Sequence, residues 1–310
     1  YGAVPLREIK KTLLALKAAG KLNRVRMLLL TNCTFDGIVY NVDRVMRECL
    51  AIKRDLIFLW DEAWFAFARF GPTYRQRTAM NAANNLRETL RQPEHERAYA
   101  AQQAELKGAD TEALLDARLI PPPDARVRVY ATQSTHKTLT ALRQGSMIHV
   151  NDQDFKGEVE QAFHEAYMII ASLDVGRRQV ELEGFEFVQR QVEAAMSMRR
   201  AISTHPQLKK YFKVLAAGDM IPEAYRESGI TSYYDPDQGW NDIWECWAQD
   251  EFVLDATRVT VAVGGTGWDG DTFKTQILMD KYGIQINKTS RNTVLFMTNI
   301  GTTRSSVAYL

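Results

Sequence analysis

Apolar positions recur at helical spacing in residues 5–20, PLREIKKTLLALKAAG, where Leu6, Ile9, Leu13 and Leu16 share one face and Gly20 supplies a C-terminal stop. The period then changes. VRMLLLT (25–31) is a continuous apolar run of strand length, the pattern of a strand covered on both faces. VDRVMRECLAIK (42–53) is amphipathic again, and DLIFLWDEA (55–63) is a second continuous run. A long charged helical stretch occupies 74–118, PPP at 121–123 breaks it, and RVRVYAT (126–132) predicts a third strand. Strand, helix, strand, helix, strand predicts an α/β fold, a mostly parallel sheet with helices on both faces.

The pattern shifts near Glu158. Helical spacing dominates as far as Ser203, then strands are predicted at RVTVAV (258–263) and NTVLFMTNI (292–300), with a helix at 271–283 between them. Two units are expected: 1–175 as part of a large sheet domain, and 176–310 as linking helices and part of a smaller α+β domain. The chain opens on Tyr1 and closes inside RSSVAYL, a stretch with the pattern of an unfinished helix. The expectation is therefore a piece of a longer polypeptide.

Composition narrows the function classes. With 45% apolar residues the chain can bury a substantial core, and its 39 Lys and Arg nearly balance 38 Asp and Glu. That balance gives no electrostatic case for nucleic acid or an anionic membrane as partner. The apolar runs are too short to span a bilayer. Cys33, Cys49 and Cys246 are widely spaced and form no CxxC, which argues against both a disulfide framework and a zinc site. A cytosolic globular protein is expected.

Three polar clusters follow the predicted strands: TNCTFDG (31–37), DEAW (61–64) and QSTHK (133–137). Ligands of open α/β sheets bind outside the carboxyl ends of the strands. Each cluster alone has an ordinary explanation: a helix N-cap, a hydroxyl bonded to its own turn, a solvated lysine. Together they fit one chemistry. A pyridoxal 5′-phosphate enzyme needs a lysine amine for its Schiff base, a carboxylate facing the pyridine nitrogen, and donors around the phosphate. Lys137 and Asp61, at different strand ends, can face one cofactor from opposite sides.

LLLTNCTFDGIVYN, LIFLWDEAWFAFARF, YATQSTHKTLTALRQGSMIHV and KTSRNTVLFMTNIGTT resemble the bacterial ornithine/lysine/arginine decarboxylase family, on the aspartate-aminotransferase fold. The resemblance implies Lys137 as the Schiff-base lysine and Asp61 as the pyridinium partner. It implies that Ala63 packs on the ring face, that Ser134 and His136 lie at the phosphate, and that Trp64 and Thr34 line the pocket. The implied products are carbon dioxide and a diamine or polyamine precursor, and the implied assembly is a homodimer or larger homo-oligomer, a decamer among them. The chain departs from the family where HEAYM (164–168) runs directly into IIASLD (169–174), without the Thr-Ser-Pro stretch that brings a threonine across the dimer interface. The family's phosphate loop and ring-stacking histidine precede the region seen here. An aminotransferase of the same fold uses the same lysine and aspartate, and a non-catalytic scaffolding relative is the remaining alternative.

Other motifs read as structure. Gly265, Gly267 and Gly270 form a GxGxxG, but Trp268 is an awkward neighbour for a pyrophosphate, and a glycine-rich turn is expected. DPDQGWNDIWE (235–245) carries its glycine one position early for a calcium loop. Trp240, Trp244 and Trp247 have the spacing of a packing stripe, and His164-Glu165 lacks the second histidine of a zinc helix.

Overall fold

The computed structural model describes residues 2–142, 145–155, 167–235 and 237–310. The His164-Glu165 pair and the start of the helical pattern from Glu158 lie outside these described residues.

Strands β1 (Met27–Thr31), β2 (Ile38–Tyr40), β3 (Ile57–Asp61), β4 (Arg128–Ser134) and β5 (Ser146–Asp152) belong to the first half. Four of them form one sheet in the order β1-β3-β4-β5. β1, β3 and β4 run parallel, as the alternation of strands and helices predicts, and β5 turns back antiparallel on β4. The short apolar stretch MIHV (147–150) thus lies in the second arm of a hairpin whose connection carries Lys137.

Helix α1 (Leu6–Ala18) precedes the strands and α2 (Val42–Ile52) connects β2 to β3, and both pack on the sheet. Asn41 caps α2 by accepting a hydrogen bond from the Arg44 N–H at 3.1 Å, so the helix starts directly after β2. The charged stretch expected as one long helical region is divided into α3 (Pro72–Arg75), α4 (Ala79–Leu90), α5 (Pro93–Glu105) and α6 (Thr111–Asp116). Pro93 explains one break, because it lacks the N–H a continuing helix needs and sits comfortably at a first turn.

The sheet's two faces differ. Leu30, Phe58, Trp60, Val129 and Ala131 are buried and join one core with Leu13, Val45, Met46, Leu50, Ala82 and Leu86 of α1, α2 and α4. On the other face Met27 and Leu29 are 46% and 58% exposed, Ile148 is 52% exposed, and Leu59 and Tyr130 are half-buried. The expectation of double coverage for 25–31, and of helices on both faces, is therefore corrected: among the described residues one face is covered. The apolar run misleads because β1 is the edge strand, where alternate residues of the same run point away from the helices.

The second half begins with α7 (Tyr167–Thr204), in which Met168 and Ile169 are consecutive. It packs Ala195 and Met198 onto a second antiparallel sheet built from Lys288–Thr289, Thr293–Met297, Arg258–Ala262 and Lys213–Val214. The predicted strands near 258 and 292 are the two central ones of that sheet. The predicted helix at 271–283 is present as a short α turn, Gly270–Thr272, followed by a π-helix, Phe273–Met279. Phe252–Leu254 pairs with β2, and Trp247 and Phe252 belong to the core of the first sheet. Gly37 marks a close approach of the two halves: its φ is +97°, and a Cβ there would lie 2.8 Å from Arg258 Cβ and Cγ.

Candidate active site

Parallel register brings residues distant in sequence to one edge. Thr31, Asp61 and Thr132 are direct neighbours at the ends of β1, β3 and β4, so the three polar clusters emerge side by side. Asp61 is half-buried, and its Oδ1 accepts from the Ala63 N–H at 3.0 Å, which folds the chain sharply after β3 and sets Ala63 and Trp64 beyond the edge. By strand alternation Asp61 faces the uncovered side of the sheet and Glu62 the covered side.

Trp64 gathers the other parts. Lys137 Nζ lies 4.9 Å from the centroid of its ring, Arg258 Cζ lies 5.7 Å away, and Phe35 meets it edge-on at 5.4 Å. Arg258 is buried, donates from Nη2 to the Trp64 carbonyl at 3.3 Å, and faces Asp255 at 3.5 Å. Two cations therefore share one aromatic platform, each attracted by the ring quadrupole. Asp36 is engaged elsewhere, by Lys288 Nζ at 2.8 Å to both oxygens. Thr34 is buried and closes its own turn, accepting from the Ile38 N–H at 3.0 Å.

The Lys137 turn is held at its ends. Ser134 is the last residue of β4, paired with Ser146, and His136 Nδ1 lies 2.9 Å from the Gly145 carbonyl. The hydroxyls of Thr135 and Thr138, on either side of Lys137, are buried and find no hydrogen-bonding partner among the described residues. A buried hydroxyl left unpaired is costly, and so marks a place prepared for an acceptor.

Beneath this edge lies a group that the sequence did not single out. Glu62 is wholly buried, and burial pushes its carboxyl up to about 7, against the opposing pull of hydrogen bonds from Ala79, Gln133 and Asn32. Its position in DEAW contained the available signal, since the residue after an outward Asp61 must point inward. Arg258 and Gln133 were also missed as site neighbours; Arg258 reaches the edge from the second half of the chain, which no local pattern reveals. The Cys33 thiol beside Arg258 is pushed up to about 12 by burial and stays protonated.

A cavity of about 490 Å³ lies elsewhere, lined by Arg44, Arg47, His95 and Arg118 among others. Among the described residues there is no cluster of three or more metal-ligating side chains, and no helix is long and apolar enough to cross a membrane.

The family model described as Orn/Lys/Arg decarboxylase, major domain, matches residues 1–104 and 122–306. The lysine decarboxylase LdcA of Pseudomonas aeruginosa is 26% identical over 98% of this chain and 38% of its own length. The biodegradative arginine decarboxylase of Escherichia coli is 24% identical over 88% of this chain and 36% of its own. Among solved structures, lysine decarboxylase A from Pseudomonas aeruginosa superposes with a TM-score of 0.63 at 24% identity, covering 99% of this chain and 39% of that one. Francisella novicida LdcF gives 0.58 at 22% identity, covering 96% and 38%. Both structural likenesses establish the α/β fold, and the chain spans about 38% of the length of its first relatives. With a family model matching nearly its whole length, the chain belongs to the Orn/Lys/Arg decarboxylase family, whose major domain it matches.

Proposed function

We propose that the chain is part of a pyridoxal 5′-phosphate-dependent decarboxylase acting on a basic amino acid, lysine, arginine or ornithine. The reaction would release carbon dioxide and the corresponding amine. One observation carries the reading: the in-register edge that sets Asp61 between Thr31 and Thr132, with the Lys137 amine folded back over Trp64 three residues further on. The donor set fits the cofactor. It offers a primary amine, a carboxylate on the open face of the sheet, and two buried hydroxyls flanking the amine that find no partner among the described residues. Family membership and relatives named as lysine and arginine decarboxylases support the reaction class and a basic substrate.

When bound, the cofactor supplies a conjugated ring that accepts the electron pair left by the departing carboxylate. The chain's own residues would do the rest. Asp61 would hold a proton on the ring nitrogen, since its carboxylate favours the charged form of a facing base. Lys137 Nζ would hold the cofactor through its aldehyde group and would carry the proton returned to the substrate Cα. Thr135, Thr138 and Ser134 would donate to the phosphate, with the His136 ring beside them, its Nδ1–H held by the Gly145 carbonyl. Ala63 would offer its methyl to the ring face, Trp64 would seat Lys137, and Thr34 would keep the neighbouring turn closed. A homo-oligomer in the cytoplasm belongs to the same reading.

The test is chemical. Protein incubated with pyridoxal phosphate and reduced with borohydride should carry the phosphopyridoxyl mass on Lys137, and Lys137→Ala should lose it. A label fixed on another residue, with Lys137 unmodified, refutes the assignment. Carbon dioxide release from each of the three amino acids then identifies the substrate, whereas keto-acid formation without it would point to an aminotransferase.

A further inference from the structure

The buried carboxyl of Glu62 is met by donors from three elements. Oε1 accepts from the N–H of Ala79, the first residue of α4, at 2.7 Å, and from Asn32 Nδ2, one residue beyond β1, at 3.5 Å. Oε2 accepts from Gln133 Nε2 of β4 at 2.9 Å. Gln133 Oε1 in turn lies 3.0 Å from His149 Nε2 of β5. Thr78 makes no side-chain cap for α4, so Glu62 takes that part, and the positive end of the helix balances its charge.

An ionised carboxylate only accepts hydrogen bonds. Its contact with Gln133 therefore decides which end of that amide turns inward: the NH2. The carbonyl end then faces His149, and a carbonyl accepts only from a ring nitrogen that carries a proton. Each link forces the next.

We infer that Glu62, Gln133 and His149 form a directional hydrogen-bond wire in which Glu62 is a positioning residue: it ties the ends of β1, β3 and β4 to α4 beneath Asp61 and the Lys137 turn, and it fixes His149 as the Nε2–H tautomer. The inner end of the wire is the residue next to Asp61, and the outer end is an imidazole that reaches solvent, half-buried on β5. The titratable groups beside the inner end are Asp61, whose like charge disfavours an ionised Glu62, and the Cys33 thiol. The wire stands whatever cofactor or substrate occupies the edge above it, so its failure and that of the decarboxylase reading are separate results.

Long-range ¹H–¹⁵N correlation spectra of histidine-labelled protein read the tautomer directly at about pH 8, above the ordinary histidine range. His149 should appear as Nε2–H in the unaltered chain. In Glu62→Gln the new carbonyl keeps the Ala79 N–H and the new NH2 faces Gln133. Gln133 must then turn over, and His149 should switch to Nδ1–H. An Nδ1–H form in the unaltered chain, or an unchanged His149 in folded Glu62→Gln, overturns the inference. A second pair of variants leaves Glu62 intact. His149→Gln keeps a donor facing Gln133 and should retain the melting temperature, while His149→Glu offers only acceptors and should lower it by roughly 5 °C. Equal melting temperatures for the two would also overturn it.

Discussion

Replacing Glu62 by glutamine removes a charge from the floor of the site while keeping the side chain's shape and its acceptor for the Ala79 N–H. Burial holds the carboxyl at about 7, against an ordinary 4.5. At about 1.4 kcal/mol for each tenfold change in an acid constant, that displacement corresponds to roughly 3 kcal/mol. The sign follows from proton counting. Between the two values the folded chain keeps a proton that the unfolded chain has released, so stability falls as pH rises, and the full penalty is in place above about pH 7. Glu62→Gln carries no such penalty. Urea unfolding of both proteins from about pH 4.5 to about pH 8 should therefore show the variant gaining roughly 3 kcal/mol on the parent across that window. Offsets from local repacking are the same at each pH and drop out, and making the comparison in the His149→Gln background removes the titration of that imidazole, which burial pushes down. A stability difference that stays flat with pH would refute the claim that a buried, titrating carboxyl sits under the strand ends.

Arg77 is buried and donates to the carbonyls of Trp247, Cys246 and Asp250 at the end of helix Ile243–Gln249, so Arg77→Lys, with one point of donation in place of a fork, should cost about 3 kcal/mol in chemical denaturation. Gly37→Ala should cost at least about 1 kcal/mol, because the position combines a positive φ with a Cβ clash against Arg258; unchanged stability would contradict both. Lys10, buried, pairs with Glu48 at 2.6 Å and also holds the carbonyls of Leu115 and Ala117, in the segment that the family model does not match. Lys10→Met should lose about 3 kcal/mol and speed proteolytic cleavage between 105 and 121, and a variant as resistant as the parent would contradict the anchoring.

The strand ends were readable from sequence because polar clusters after continuous apolar runs have few physical explanations in a parallel sheet. Asp61, Lys137 and Trp64 come together at one edge as that rule requires. What stayed hidden depends on sidedness. A continuous run such as MLLL shows no alternation, so the open face at Leu29 could not be read from it, and the inward turn of Glu62 follows only once Asp61 is known to face outward. Contacts across the two halves were equally silent: Arg258 reaches Trp64 over 194 residues, and no spacing rule links the two. The reversal of β5 escaped notice because a four-residue apolar run carries no direction.

The hairpin that bears Lys137 also has a consequence for how the chain assembles. Gln133 meets His149 across 16 residues but meets Glu62 across 71. Closing the longer loop costs roughly 1.3 kcal/mol more in chain entropy, taking (3/2)RT times the logarithm of the length ratio. The β4–β5 arm is therefore expected to close early in refolding, with β3 joining later, and pulse-labelled hydrogen exchange should protect β4 and β5 amides first. Earlier protection of β3 would refute that order. On this account the lysine is placed by its near neighbours in the chain and the aspartate by a late, long-range encounter, so the paired groups exist only once the slower search has ended.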